Sequence, residues 1–136
     1  MNKRYADLIQ AAAQVRERSY SPYSHFRVGA ALLGEDGKIY SGANVENASF
    51  GLSICAERTA VFQAVSGGEL RFEAIAICTD GTIPTPPCGA CRQVLMEFAP
   101  ALTVLLVGAD GSVEEHRLAD LLAHPFRSFD FKGADD

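Results

Sequence analysis

Three cysteines and one glutamate carry the chemistry in this chain. Cys88 and Cys91 form a Cys-x-x-Cys pair, and Cys55 stands two residues before Glu57. Three thiolates can hold one zinc ion and leave a fourth position to water, the ligand count of a catalytic site and not of a closed structural one. Zinc lowers the pKa of its water toward about 7, and a carboxylate beside it can carry protons without being a ligand. Glu57 is the candidate for that carboxylate. Alone it would be an ordinary first-turn glutamate favouring the helix dipole, and only the neighbouring cysteines reverse that weighting. A site with three thiolates also needs compensating positive charge. Two helix N-termini, each worth about +0.5 of a charge, can supply part of it, and Arg58 and Arg92 are placed to donate to the sulfurs from outside the ligand set. Cys78, inside the apolar run from Ala74, is read as a small buried hydrophobe.

The surrounding elements must deliver these residues. Leu8, Ala12 and Val15 recur at helical spacing and predict a helix over 5–18, closed by the turn formers Ser19 to Ser24 with Pro22 among them. Two short runs, 28–33 and 38–43, flank Asp36-Gly37 and predict a β-hairpin. The loop over 44–52 carries Asn44 and Glu46 directly before the first cysteine. Ser53 is read as the N-cap of a helix from Cys55 to Ser66, which Gly67-Gly68 stops. The short apolar run 74–79 predicts a central strand. Pro84, Pro86 and Pro87 then hold the chain extended and bring Cys88 to the start of a helix over 89–98. A second buried strand over 102–107, an extended segment over 112–117 and a short helix over 118–122 complete the pattern. The succession predicts an α/β protein, a three-layer α/β/α sandwich with a five-stranded mixed sheet, in which both cysteine-bearing helices can begin at one end of the sheet.

At 136 residues the chain fits one domain, 1–136, with 131–136 expected to be a flexible tail. Twelve Lys and Arg against seventeen Asp and Glu leave a formal charge of −5, which disfavours a nucleic-acid backbone as partner because such binding rests on phosphate neutralisation. No apolar run approaches the roughly 20 residues that span a bilayer, and the N-terminus does not resemble a signal segment. A cytoplasmic location without membrane contact is expected, and in a reducing compartment cysteines point to metal or catalysis before disulfides.

The motifs Cys-Ala-Glu-Arg-Thr-Ala at 55–60, Pro-Cys-Gly-Ala-Cys-Arg-Gln at 87–93 and Asn-Val-Glu-Asn-Ala at 44–48 together resemble the small zinc-dependent cytidine deaminases that act on free nucleosides. The resemblance extends from Ser21 to Phe126. It implies one zinc per chain on Cys55, Cys88 and Cys91, and hydrolysis of cytidine and 2′-deoxycytidine to uridine, 2′-deoxyuridine and ammonia in pyrimidine salvage. In that chemistry zinc-activated water adds to carbon 4 of the ring, while Glu57 protonates ring nitrogen 3 and then serves the departing amine. It further implies Asn44 and Glu46 on the ribose hydroxyl, Phe26 and Phe126 against the nucleoside, the backbone at Ala56 and the Pro-Cys loop on the base, and a homotetramer in which Phe126 reaches a neighbouring site. Two departures stand out. Phe50 replaces a tyrosine that many relatives carry before the metal helix, and the stretch after Leu121 and Leu122 lacks a proline that relatives show. Rival readings are a deaminase of another aminated nucleoside such as blasticidin S, and a non-enzymatic zinc-binding module. The second would need a fourth protein ligand, and neither Cys78 nor His25, His116 or His124 has a persuasive spacing.

Overall fold

The computed structural model describes residues 2–126, so the tail expected at 131–136 lies outside the described residues. Helix α1 (Lys3–Arg16) leads into a hairpin of β1 (Val28–Gly34) and β2 (Ile39–Ala43). Helix α2 (Ala56–Ser66), strand β3 (Phe72–Thr79), helix α3 (Gly89–Phe98), strands β4 (Thr103–Val107) and β5 (Val113–Arg117) and the short α4 (Leu118–Leu121) follow. The five strands form one sheet in the order β2-β1-β3-β4-β5. Only β3 and β4 run parallel, with Ile75 opposite Val104 and Ile77 opposite Leu106; the other neighbours are antiparallel. This is the mixed, five-stranded sandwich expected from the sequence.

Period-two alternation in the central strands feeds both faces. Ala31, Leu33, Ala74, Ala76, Cys78, Leu105 and Val107 turn toward Leu8 and Ala12 of α1. Ala30, Leu32, Ile75, Ile77, Val104 and Leu106 turn toward α2 and α3. The apolar runs of β1, β3 and β4 therefore read as near-continuous because both faces are covered. Cys78 lies in the α1 layer, away from the other cysteines, as its apolar run implied.

Glycine sets how closely the helices lie on the sheet. A Cβ at Gly29 would stand 2.1 Å from the Ala12 carbonyl oxygen and 2.6 Å from the Arg16 nitrogen. On the other face, a Cβ at Gly42 would meet the Ala60 nitrogen at 2.6 Å. Both obstacles are helix backbone, which cannot rotate away.

Several boundaries differ from the sequence reading. The first helix ends at Arg16, with Glu17 as its C-cap. Helix α2 begins at Ala56 with Cys55, not Ser53, at its N-cap. The reason is local pairing. Val45 and Ile54 exchange backbone hydrogen bonds at 3.0 and 2.9 Å, and Glu46 N–H donates to Tyr20 at 2.8 Å. These contacts close 45–54 into a loop that contains a single 3₁₀ turn at Phe50–Leu52 and keep Ile54 extended up to the helix, and the Ser53 hydroxyl instead accepts the Asn47 N–H at 3.1 Å.

Gly29→Ala is expected to cost about 3 kcal/mol, in the upper part of the range for overpacking a tight contact. Urea unfolding of the variant against the parent measures this; a loss under about 1 kcal/mol would mean that α1 rides up freely on the sheet.

Candidate functional site

Helices α2 and α3 begin side by side at one end of the sheet, each with a cysteine at its N-cap. Cys55 caps α2 and Cys88 caps α3, where its sulfur accepts the Cys91 N–H at 3.4 Å. Cys91 sits in the first turn of α3, fully buried. The three sulfurs all lie within 4.8 Å of one another, and Cys55 Sγ and Cys88 Sγ are 3.9 Å apart. Sulfurs about 2.3 Å from a tetrahedral zinc stand about 3.8 Å from each other, so the spacing suits a shared ion. It is far too long for a disulfide bond of about 2.05 Å, and all four cysteines are free.

The electrostatics point the same way. The Cys55 thiol is pulled down to about 5, first by its hydrogen bond with Cys91 and then by Arg58, whereas Cys91 is pushed up by that same hydrogen bond and by burial. Three adjacent thiols without a cation cannot all give up their protons, and a divalent ion is what would let them. The donor set therefore fits zinc.

Arg58 sets its guanidinium against the sulfur cluster. Its Nη2 donates to Cys55 Sγ at 3.3 Å, and the contact raises the guanidinium pKa further. Arg92 does not donate to a sulfur. Its Nε donates to the Pro87 carbonyl at 2.8 Å and its Nη1 to the Leu121 carbonyl at 2.6 Å, so it ties the Pro-Cys loop to the segment after β5.

Beside the sulfurs opens a cavity of about 220 Å³, on whose wall Phe26, Asn44, Glu46, Cys55 and Glu57 come together. Glu57 is only 5% exposed, and burial raises its pKa to about 7 against the pull of its own backbone N–H. Ala56, between Cys55 and Glu57, is the first residue of α2, and an N–H at that position has no partner within its helix. Asn44 Oδ1 accepts from Ser19 Oγ and, at 2.9 Å, from the Val28 N–H. Its Nδ2 donates one hydrogen to the Phe26 carbonyl at 2.9 Å and keeps a second for a ligand. Glu46 Oε1 accepts the Tyr23 and Ser24 N–H groups at 3.0 and 3.1 Å, and Oε2 accepts from Ser24 Oγ. Those bonds, led by the Ser24 hydroxyl, hold its carboxyl below the usual range.

Phe126 is not brought to the cavity of its own chain. It is 60% exposed, and the Gln93 amide grips its backbone, accepting its N–H at 3.0 Å and donating to its carbonyl at 2.6 Å. The sequence reading missed Gln93 for this role and missed Thr79, Thr85 and Pro86 on the cavity wall. The proline-rich loop was the available signal for the last two. Thr79 carried none, because it ends an apolar strand and looks like core. Phe50 lies outside this cavity, 72% exposed, and packs edge-on against Tyr23 with ring centroids 5.6 Å apart.

The chain is similar to proteins already known. A family model described as the cytidine and deoxycytidylate deaminase zinc-binding region matches residues 2–107. A cytidine deaminase of Halalkalibacterium halodurans is 51% identical over 124 residues, covering 90% of this chain and 94% of that protein. A cytidine deaminase of Mycobacterium tuberculosis is 44% identical over 116 residues, covering 85% and 84% of the two chains. The 1.6 Å crystal structure of cytidine deaminase from Burkholderia pseudomallei superposes with a TM-score of 0.87 at 48% identity, covering 93% of this chain and all of that one.

The purified chain is expected to carry about one zinc per polypeptide. Metal analysis should show that Cys91→Ser drops well below that ratio while Cys78→Ser keeps it. Metal loss on changing Cys78 would place the ion elsewhere.

Proposed function

The chain belongs to the cytidine and deoxycytidylate deaminase family, and from that membership we propose how its site works: cytidine or 2′-deoxycytidine enters the cavity, water replaces the ring amine, and uridine or 2′-deoxyuridine and ammonia leave. The observation that carries this reading is a buried glutamate beside a three-sulfur cluster, on the wall of a cavity that also presents Asn44 and Glu46.

Cys55, Cys88 and Cys91 hold one zinc ion, which when bound supplies Lewis acidity and brings the pKa of a water toward about 7. Glu57 moves the protons. Its carboxyl, with a pKa near 7, gives and takes a proton at neutral pH with little driving force lost either way. It takes one proton from the attacking water and delivers it to ring nitrogen 3, then takes the second from the new hydroxyl on carbon 4 and gives it to the amine as the carbon–nitrogen bond breaks. The oxygen ends on carbon 4 and the nitrogen leaves as ammonia. The Ala56 N–H binds the base carbonyl, and the carbonyls of the Pro-Cys loop accept from the ring amine. Arg92, on the Pro87 carbonyl, orients that loop.

The remaining N–H of Asn44 and the Glu46 carboxylate bind sugar hydroxyls. Phe26 closes over the nucleoside from the side. Glu46 remains an anion at neutral pH, and together with Glu57 and a chain charge of −5 it favours a neutral nucleoside over a nucleotide or a polynucleotide.

The reading extends to the whole chain as one domain over 1–136 and to a homotetramer. Exposed Phe50, Leu52 and Phe126 supply apolar surface for such an assembly, in which Phe126 would serve a neighbour's cavity. None of the described helices is long and apolar enough to cross a membrane, which is consistent with a cytoplasmic salvage enzyme.

Glu57→Gln should retain zinc and lose about 10²- to 10⁴-fold in cytidine turnover, the range for a removed general acid and base. The fall in ultraviolet absorbance as cytidine becomes uridine follows the reaction directly. Full activity in this variant would end the proton-shuttle role, and turnover of another aminated nucleoside without cytidine would end the substrate assignment.

A further inference from the structure

Behind the cavity wall lies an ion-paired cluster that the deaminase chemistry leaves unexplained. The Arg27 guanidinium clasps the Asp80 carboxylate, with Nε 3.0 Å from Oδ2 and Nη2 3.1 Å from Oδ1. Their backbones are joined as well: Arg27 N–H donates to Asp80 Oδ2 at 2.9 Å and Asp80 N–H to the Arg27 carbonyl at 3.2 Å. The last residue of α1 and its C-cap brace the pair, since Arg27 Nη1 donates to Glu17 Oε1 at 2.8 Å and Arg16 Nη1 to the Thr79 carbonyl at 2.9 Å. Each flank of the clamp is cavity wall: Phe26 and Val28 on either side of Arg27, and Thr79 just before Asp80.

We propose that Asp80, acting through Arg27, is a positioning residue that sets the substrate-binding wall of the cavity. The proposal rests on the deaminase reading. Phe26 and Val28 line the cavity, whereas the guanidinium of Arg27, the residue just ahead of β1, is taken up by Asp80 and Glu17. The backbone over 26–28 is then held from two directions. Asn44 takes the Phe26 carbonyl and the Val28 N–H, and Asp80 takes the Arg27 N–H and carbonyl. The residue ahead of this segment explains why so many holds are needed. His25 has φ of 58°, the only described non-glycine residue with positive φ, and such a conformation persists only where the surroundings over-determine it. Ser24, bonded to Glu46 and to the Phe26 N–H at 3.0 Å, holds it from one side, and the Arg27–Asp80 clamp holds it from the other.

The clamp shares no residue with the sulfur cluster or with Glu57. Its loss should therefore loosen the fit of the nucleoside and leave metal and proton transfer in place. Both side chains are partly solvent-exposed, and ion pairs of that kind add little to overall stability, so the variants should fold. The guanidinium holds the Asp80 carboxyl below its ordinary range, which keeps the pair charged throughout a neutral assay.

The test is steady-state cytidine turnover with zinc analysis for the parent, Asp80→Ala, Asp80→Asn, Arg27→Ala and the double alanine variant. Asp80→Ala is expected to raise KM about tenfold, the worth of one charge-assisted hydrogen bond, with kcat within about twofold and zinc unchanged. Asp80→Asn, which keeps an acceptor for the Arg27 N–H, should fall between Asp80→Ala and the parent, and the double variant should be no worse than Asp80→Ala alone. Should Asp80→Ala fail to fold, Asp80→Asn and Arg27→Ala carry the test with the same KM-only signature. With an active parent, an unchanged KM, a fall confined to kcat, a loss of zinc or fully additive effects overturns the clamp alone. A parent that does not turn over cytidine overturns the deaminase reading and the clamp together.

Discussion

Three sulfurs packed within 4.8 Å impose a charge problem that the rest of the molecule is arranged around. Two unit charges about 4 Å apart repel by about 4 kcal/mol at an effective dielectric constant near 20, so a fully ionised cluster needs a cation and a positive environment. The fold supplies the environment at its ends. Two helix N-termini converge on the cluster, and that convergence requires α2 and α3 to pack on the same face of the sheet and to start at the same edge. The parallel β3–β4 pair, connected through α3, sets the second helix; the hairpin, with Gly42 allowing α2 close against β2, sets the first. Arg58 adds a fixed guanidinium against Cys55.

Beyond the sulfurs, the few polar side chains on a largely apolar cavity wall have hydrogen-bonding capacity that is already mostly committed. Asn44 spends three of its four bonds on Ser19, Phe26 and Val28, and Glu46 gathers the 23–24 backbone. The orientation of those groups is therefore settled by the protein itself, before any ligand arrives. Preorganisation of this kind lowers the ordering cost of binding.

Much of this was legible in the sequence because the signals were local. The apolar runs of β1, β3 and β4, the Asp36-Gly37 turn and the Cys-x-x-Cys pair each declared their structure within a few residues. Arg58 was readable for the same reason, being one helical turn from Cys55. Arg92 stands one turn from Cys88 and carries the same local signal toward the sulfurs, but the Leu121 carbonyl, 29 residues away in sequence, captures one end of its guanidinium. Gln93 and Phe126 meet across 33 residues, and no spacing rule reports such a contact. Ser53 failed differently. Its type is a preferred N-cap, yet the pairing of Val45 with Ile54 draws the chain past it and leaves the cap to a cysteine. Propensity lost there to a long-range constraint.

The two carboxylates on the cavity show how one enclosure can assign opposite tasks to one kind of group. Glu57 lies in the first turn of α2, where the helix dipole and its own N–H favour the anion, but near-complete burial prevails and lifts it to about 7. Glu46 is only half-buried and surrounded by donors, with the Ser24 hydroxyl first among them, and stays ionised. Environments that push paired acids apart mark which one exchanges protons and which one only accepts hydrogen bonds. Exchanging the two settings would leave an unprotonated acid beside the sulfurs and a neutral one at the sugar, so the division depends on burial and donor count and not on residue type.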